Sequence, residues 1–79
     1  MHRRFLVGNR IRERRLSLGL KQADVALAAG ISPSYLNLIE HNRRGIAGKV
    51  LLDIAAALRV DSASILEGAD SALMREIEA

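Results

Sequence analysis

The side chains of this chain that can do chemistry suit holding and reading rather than bond making. Between positions 21 and 44 lie Lys21, Gln22, Ser34, Asn37, Arg43 and Arg44. Asn offers a donor and an acceptor that together fit adenine N6 and N7. Ser pairs with several base edges, and Lys and Arg match phosphate oxygens. Covalent catalysis has far less to work with. There is no Cys, and the two His, His2 and His41, have no nucleophile motif beside them. A disulfide framework, a thiolate metal site and a His-rich zinc site are thereby excluded. No Gly-rich phosphate loop and no metal-ligand spacing occurs. The expectation is a binding domain and not an enzyme, with no cofactor and no metal.

Charge narrows the partner. The net charge is +3 over 79 residues, but it is unevenly placed. Residues 1–60 hold eleven basic and four acidic side chains, a balance of +7, and residues 61–79 hold one basic and five acidic, a balance of −4. A basic body with an acidic tail suits a polyanion partner, and on charge alone it reads equally as a solvated mixed-charge surface. Aromatic residues make up 3% of the chain, too few for the stacking platforms that grip single strands. No apolar run has the length of a signal-peptide core or a membrane span, so the expected location is cytoplasmic, with no membrane partner. The length allows one small domain, which buries only somewhat over half of its unfolded surface.

The elements that must position these side chains read as all-α, because Ala, Leu and Ile abound while Gly and Pro are sparse. Val7, Ile11 and Leu18 recur at helical steps, which predicts helix 1 over about 5–18, with Gly19 as its stop. Helix 2 is expected over about 22–29, with Val25, Ala26 and Ala29 inward and Gly30 at its end. Helix 3 has the clearest start: Ser32 is a good N-cap, and Pro33 suits a first helical position, where its missing N–H costs nothing. It runs to Glu40 or His41, with Leu36 and Ile39 inward. Residues 42–48 form a polar loop in which Asn42, tolerant of left-handed backbone, closes helix 3. Helix 4 is expected over about 49–59 on the stripe Val50, Leu51, Ile54, Ala55 and Leu58. A fifth helix starts at Asp61 or Ser62 and ends near Gly68. A last segment, 71–78, carries Leu73, Met74 and Ile77.

Helices 2 and 3, joined by Gly30-Ile31-Ser32, have the outline of a helix-turn-helix. Small Ala26 lets the two helices cross closely. Gly30 supplies the positive φ that the turn demands, and Ile31 fills the gap between the helices. With Leu36 and Ile39 turned in, Pro33, Ser34, Asn37, Leu38 and His41 face out. That face is small and uncharged at its first turn, which suits entry into a major groove.

From about residue 8 to residue 66 the chain resembles the phage-repressor and Cro-type helix-turn-helix family of transcription factors. The residues that carry the resemblance are Arg10-Ile11-Arg12, Arg15, Gly19-Leu20, Gln22, Ala26, Gly30-Ile31-Ser32, Tyr35-Leu36, Ile39-Glu40 and the Leu51, Ile54-Ala55, Leu58 helix. More narrowly, the run 30–44 resembles bacterial regulators of short-chain fatty acyl metabolism. Those are longer proteins, in which a domain of this kind precedes a C-terminal effector-sensing part. The resemblance implies a five-helix, repressor-like domain over 1–68, and residues 69–79 would be a helical tail or the start of a linker to an effector domain. It implies sequence-specific binding of double-stranded DNA by a transcriptional regulator. The recognition helix, about 33–41, would lie in the major groove of an inverted-repeat operator bound by a homodimer.

Roles carry over residue by residue. Pro33, Ser34, Asn37 and Leu38 fall at base-reading positions, with Asn37 suited to adenine and Leu38 to a thymine methyl. Lys21, Gln22, Tyr35, His41, Arg43 and Arg44 fall on the phosphate side. Gln22 is expected to hold a phosphate and brace helix 3. Lys21 departs from the family, which has a capping Thr or Ser there. Tyr35 divides between core and phosphate, and His41 between phosphate and the end of helix 3. Arg15 and Glu40 are implied as a structural ion pair. Arg14 departs from an apolar position, so it must snorkel outward or find a carboxylate. Arg3, Arg4, Arg10 and Arg12 read equally as a basic arm or a solvated face. The rival reading is a protein-interaction module, or an antitoxin-like DNA-binding partner of a toxin. Its discriminator is the 69–79 tail, which is short for a toxin-binding extension.

Overall fold

The computed structural model describes residues 4–67. Its helices are α1 (Gly8–Ser17), α2 (Gln22–Ala29), α3 (Pro33–Glu40) and α4 (Gly48–Ala57). A shorter α5 follows over 62–67. The tail segment expected over 71–78, with Leu73, Met74 and Ile77, lies outside the described residues.

Each helix contributes one apolar stripe to a single core. Ile11, Val25, Leu36, Ile39, Ile54 and Leu58 are fully buried, and Val7, Ala26, Ala29, Ile46, Leu51, Ala55 and Ile65 are buried around them. α2 packs against both α4 and α3, and α3 also meets α1. Ala26 has no exposed surface, so the α2–α3 crossing has no room for a larger side chain there. Phe5, Leu20, Ile31 and Tyr35 close the rim of this core.

The first four helices end alike. In each, a residue in the left-handed region follows the last turn: Gly19 at φ 69°, Gly30 at 73°, Asn42 at 58° and Arg59 at 59°. The next N–H then reaches back five residues: Leu20 to Arg15 O, Ile31 to Ala26 O, Arg43 to Leu38 O and Val60 to Ala55 O. This Schellman geometry satisfies carbonyls that the helix leaves open.

Two boundaries differ from those expected. α1 starts at Gly8 rather than near Phe5, because Phe5 pairs antiparallel with Ile46 instead. The Phe5 N–H donates to Ile46 O at 2.9 Å, and the Ile46 N–H donates to Phe5 O at 3.0 Å. α4 spans Gly48–Ala57 rather than 49–59, because Arg59 takes the left-handed conformation that ends it. α2 and α3 fall where their Gly30 and Ser32-Pro33 signals put them.

Candidate nucleic-acid interface

The geometry of α3 begins at its cap. The Ser32 hydroxyl oxygen accepts the Tyr35 N–H at 3.0 Å, and Pro33 occupies the first helical position. The chain reaches that cap from α2 through Gly30, whose left-handed φ turns it within two residues. Along the first turns of α3, Pro33, Ser34 and Asn37 are exposed and Leu38 is half-buried. These four side chains, with Gln22 from the start of α2, line one shallow concavity. The surface is a dent with amide, hydroxyl and apolar walls and no formal charge.

The far end of α3 is built oppositely. Glu40 is 3% exposed, yet it is ionisable, so its oxygens need partners. Arg15 supplies two parallel hydrogen bonds, Nε to Oε2 at 2.7 Å and Nη2 to Oε1 at 2.9 Å. Gln22 Nε2 adds a third at 3.2 Å. A further Arg15 nitrogen, Nη1, donates to Leu20 O at 3.1 Å, fixing the turn after α1. The hydrogen bond to Glu40 raises the Arg15 pKa; its burial opposes this, and Coulomb attraction to Glu40 adds to it. One carboxylate thus ties α1, α2 and α3 together, in the fork geometry that a guanidinium makes best. Gln22 belongs to this brace and to the edge of the concavity at once.

The remaining phosphate-side candidates are not among the residues that line the dent. Lys21 is exposed just before α2. It cannot cap the helix, since an ammonium has no acceptor. Asp24 supplies the missing half from the other direction, accepting the Lys21 N–H at 3.3 Å. Arg43 and Arg44 are exposed on the loop after α3. Tyr35 is half-buried against the core and lines a second concavity with Arg4, Ala47, Gly48 and Val50. His41 turns its Nδ1 to the Asn37 carbonyl at 2.9 Å, which makes that nitrogen the donor and places the ring at the end of α3.

Among the described residues, half-buried Arg14 pairs with backbone carbonyls and no carboxylate. Its Nε donates to Leu58 O at 3.0 Å and its Nη2 to Arg59 O at 3.5 Å. A cation on the last carbonyls of α4 complements the helix dipole. Arg10 turns to α5: its Nη2 donates to Ser64 O at 2.8 Å and lies 3.8 Å from Glu67 Oε2. Arg4, Arg10 and Arg12 are all exposed, and Arg10 differs in being drawn to α5.

One contact at the start of the Arg43–Arg44 loop escaped sequence reasoning. Asn42 closes α3 as expected, but its side chain also crosses to α1, where Oδ1 accepts the Gly8 N–H at 2.8 Å. α1 has no side-chain cap of its own. Gly8 permits this approach because a Cβ there would collide with the carbonyl oxygens of Ile39 and Glu40. The available signal was weak: an Asn where a Gly would serve the turn equally well.

Residues 11–65 match the family model described as helix-turn-helix. The HTH-type transcriptional regulator RamB of Mycobacterium tuberculosis is 41% identical over 71 residues, covering 90% of this chain and 15% of that protein. The propionyl-CoA carboxylase regulator of Cereibacter sphaeroides is 38% identical over 61 residues, covering 77% of this chain and 13% of that protein. The chain therefore spans about 15% of the length of the first of these curated relatives. Among solved structures, the P22 c2 repressor in complex with a synthetic operator superposes with a TM-score of 0.73 at 31% identity, covering 78% of this chain and 94% of that one.

Proposed function

The chain belongs to the helix-turn-helix family, and on that premise we propose that it is the sequence-specific, double-stranded DNA-binding domain of a bacterial transcriptional regulator. α3 enters the major groove by its N-terminal half. Asn37 and Ser34 bond base edges there, and Leu38 and Pro33 make apolar contact with a thymine methyl or a sugar. Lys21, Gln22, Arg43 and Arg44 hold the flanking phosphates, and the N-terminal N–H groups of α2 favour the phosphate that Gln22 meets. Tyr35 and His41 stand at the margin of this contact. The observation that carries the reading is the uncharged concavity of Gln22, Pro33, Ser34, Asn37 and Leu38 on an exposed helix face.

Two copies on an inverted repeat would set their recognition helices about one DNA turn, roughly 34 Å, apart. The likeness to a propionyl-CoA carboxylase regulator, of which this chain covers 13%, supports a longer whole protein that controls short-chain acyl metabolism, in which an effector-sensing part would be a further domain. Membership of a DNA-binding family supports a cytoplasmic setting. The deciding experiment is selection of bound duplexes from a random pool. A palindromic consensus is the expected result and gives the symmetry of binding at the same time. A pool with no enriched sequence would overturn the proposal.

A further inference from the structure

The loop that carries Arg43 and Arg44 is held at both ends by the same short stretch of chain. At its start, Asn42 Oδ1 accepts the Gly8 N–H at 2.8 Å. At its end, Ile46 exchanges two backbone hydrogen bonds with Phe5, at 2.9 and 3.0 Å. Beside the second of these ties the two segments lie so close that a Cβ on Gly45 would stand 2.9 Å from the Arg4 Cβ. The left-handed turn at Asn42 does not need this arrangement, since Gly would satisfy φ 58° at no steric cost. The side chain of Asn42 thus makes a cross-link to Gly8 in addition to closing the turn.

We propose that Asn42 and the 4–8 segment form a clamp that holds the Arg43–Arg44 loop in its DNA-facing register, making Asn42 a positioning residue for phosphate binding. The inference rests on the DNA reading above and extends it to residues that touch no DNA. An unclamped loop must be ordered at the moment of binding. A clamped one presents both guanidinium groups already placed, so less of the contact energy is lost to ordering.

Asn42→Gly keeps the turn and removes only the cross-link. It is expected to weaken operator and random duplex alike, by about tenfold, and to flatten the plot of log K against log salt by about one to two per bound domain. A structural role alone would lower the melting temperature without changing that slope. In an Arg43→Ala/Arg44→Ala background, Asn42→Gly should be silent, because it acts through those two side chains. Gly45→Val pries the loop from Arg4 without touching Asn42, and the same silence is expected of it. It keeps the test open where Asn42→Gly does not fold. Equal losses in both backgrounds, or an unchanged slope, would overturn the clamp. An unsubstituted chain that binds no duplex at all refutes the DNA reading itself, and the clamp with it.

Discussion

The two halves of α3 use polar groups in opposite ways. At its C-terminal end the Glu40 carboxylate is buried and accepts from Arg15 twice and from Gln22 once. At its N-terminal end Ser34 and Asn37 are exposed on an open dent. Eight residues thus join a fully committed polar hub to an uncommitted one. Commitment fixes where the helix sits, and lack of it leaves hydrogen-bonding groups for a partner. A reading surface needs both, since free groups on a poorly held helix would lose their advantage to ordering.

The contrast breaks most visibly at the hub. Arg15→Met strands the Glu40 carboxylate and should cost about 3–5 kcal/mol of stability in urea unfolding. The double variant Arg15→Met/Glu40→Met should recover most of that loss, which would show that the penalty lies in the unpaired charge. At the other end Asn37→Ala should leave unfolding within about 0.5 kcal/mol. In binding titrations it should cost roughly 1–3 kcal/mol on the selected operator and little on random DNA. Equal losses on both duplexes would remove Asn37 from the reading face.

Smaller effects carry the comparison to α4. Arg14→Ala removes the guanidinium from the Leu58 and Arg59 carbonyls and should lower stability by about 1–2 kcal/mol, read by thermal melting. Arg59→Gly should act in the other direction. The left-handed conformation costs an ordinary residue roughly 1–2 kcal/mol. The added freedom of Gly in the unfolded chain returns part of this, so the net gain is about 0.5 kcal/mol.

Legibility in the sequence followed the range of the interaction. α2 and α3 were legible to the residue, because Gly30, Ser32 and Pro33 act within one turn of where they stand. The outward face of Pro33, Ser34, Asn37 and Leu38 followed from helical spacing against Leu36 and Ile39. The Arg15–Glu40 pair was implied by family resemblance, and the two side chains do meet. What was not legible depends on partners without a residue signature. Arg14 binds backbone carbonyls, which every residue has. Phe5 leaves α1 for a backbone pairing with Ile46, forty-one positions away. Arg59 ends α4 in a conformation that its type disfavours, so nothing local announced the stop.

Tyr35 gives this arrangement an optical consequence. It is the single Tyr in a chain with no Trp, so absorbance and emission above about 275 nm come from one place. That place is α3, where Tyr35 is half-buried and lines a concavity with Arg4, Ala47, Gly48 and Val50. A change in its dichroism above that wavelength, where the single Phe does not absorb, therefore reports the surroundings of that one ring. The protein carries its own spectroscopic label at the edge of the surface it would present to DNA.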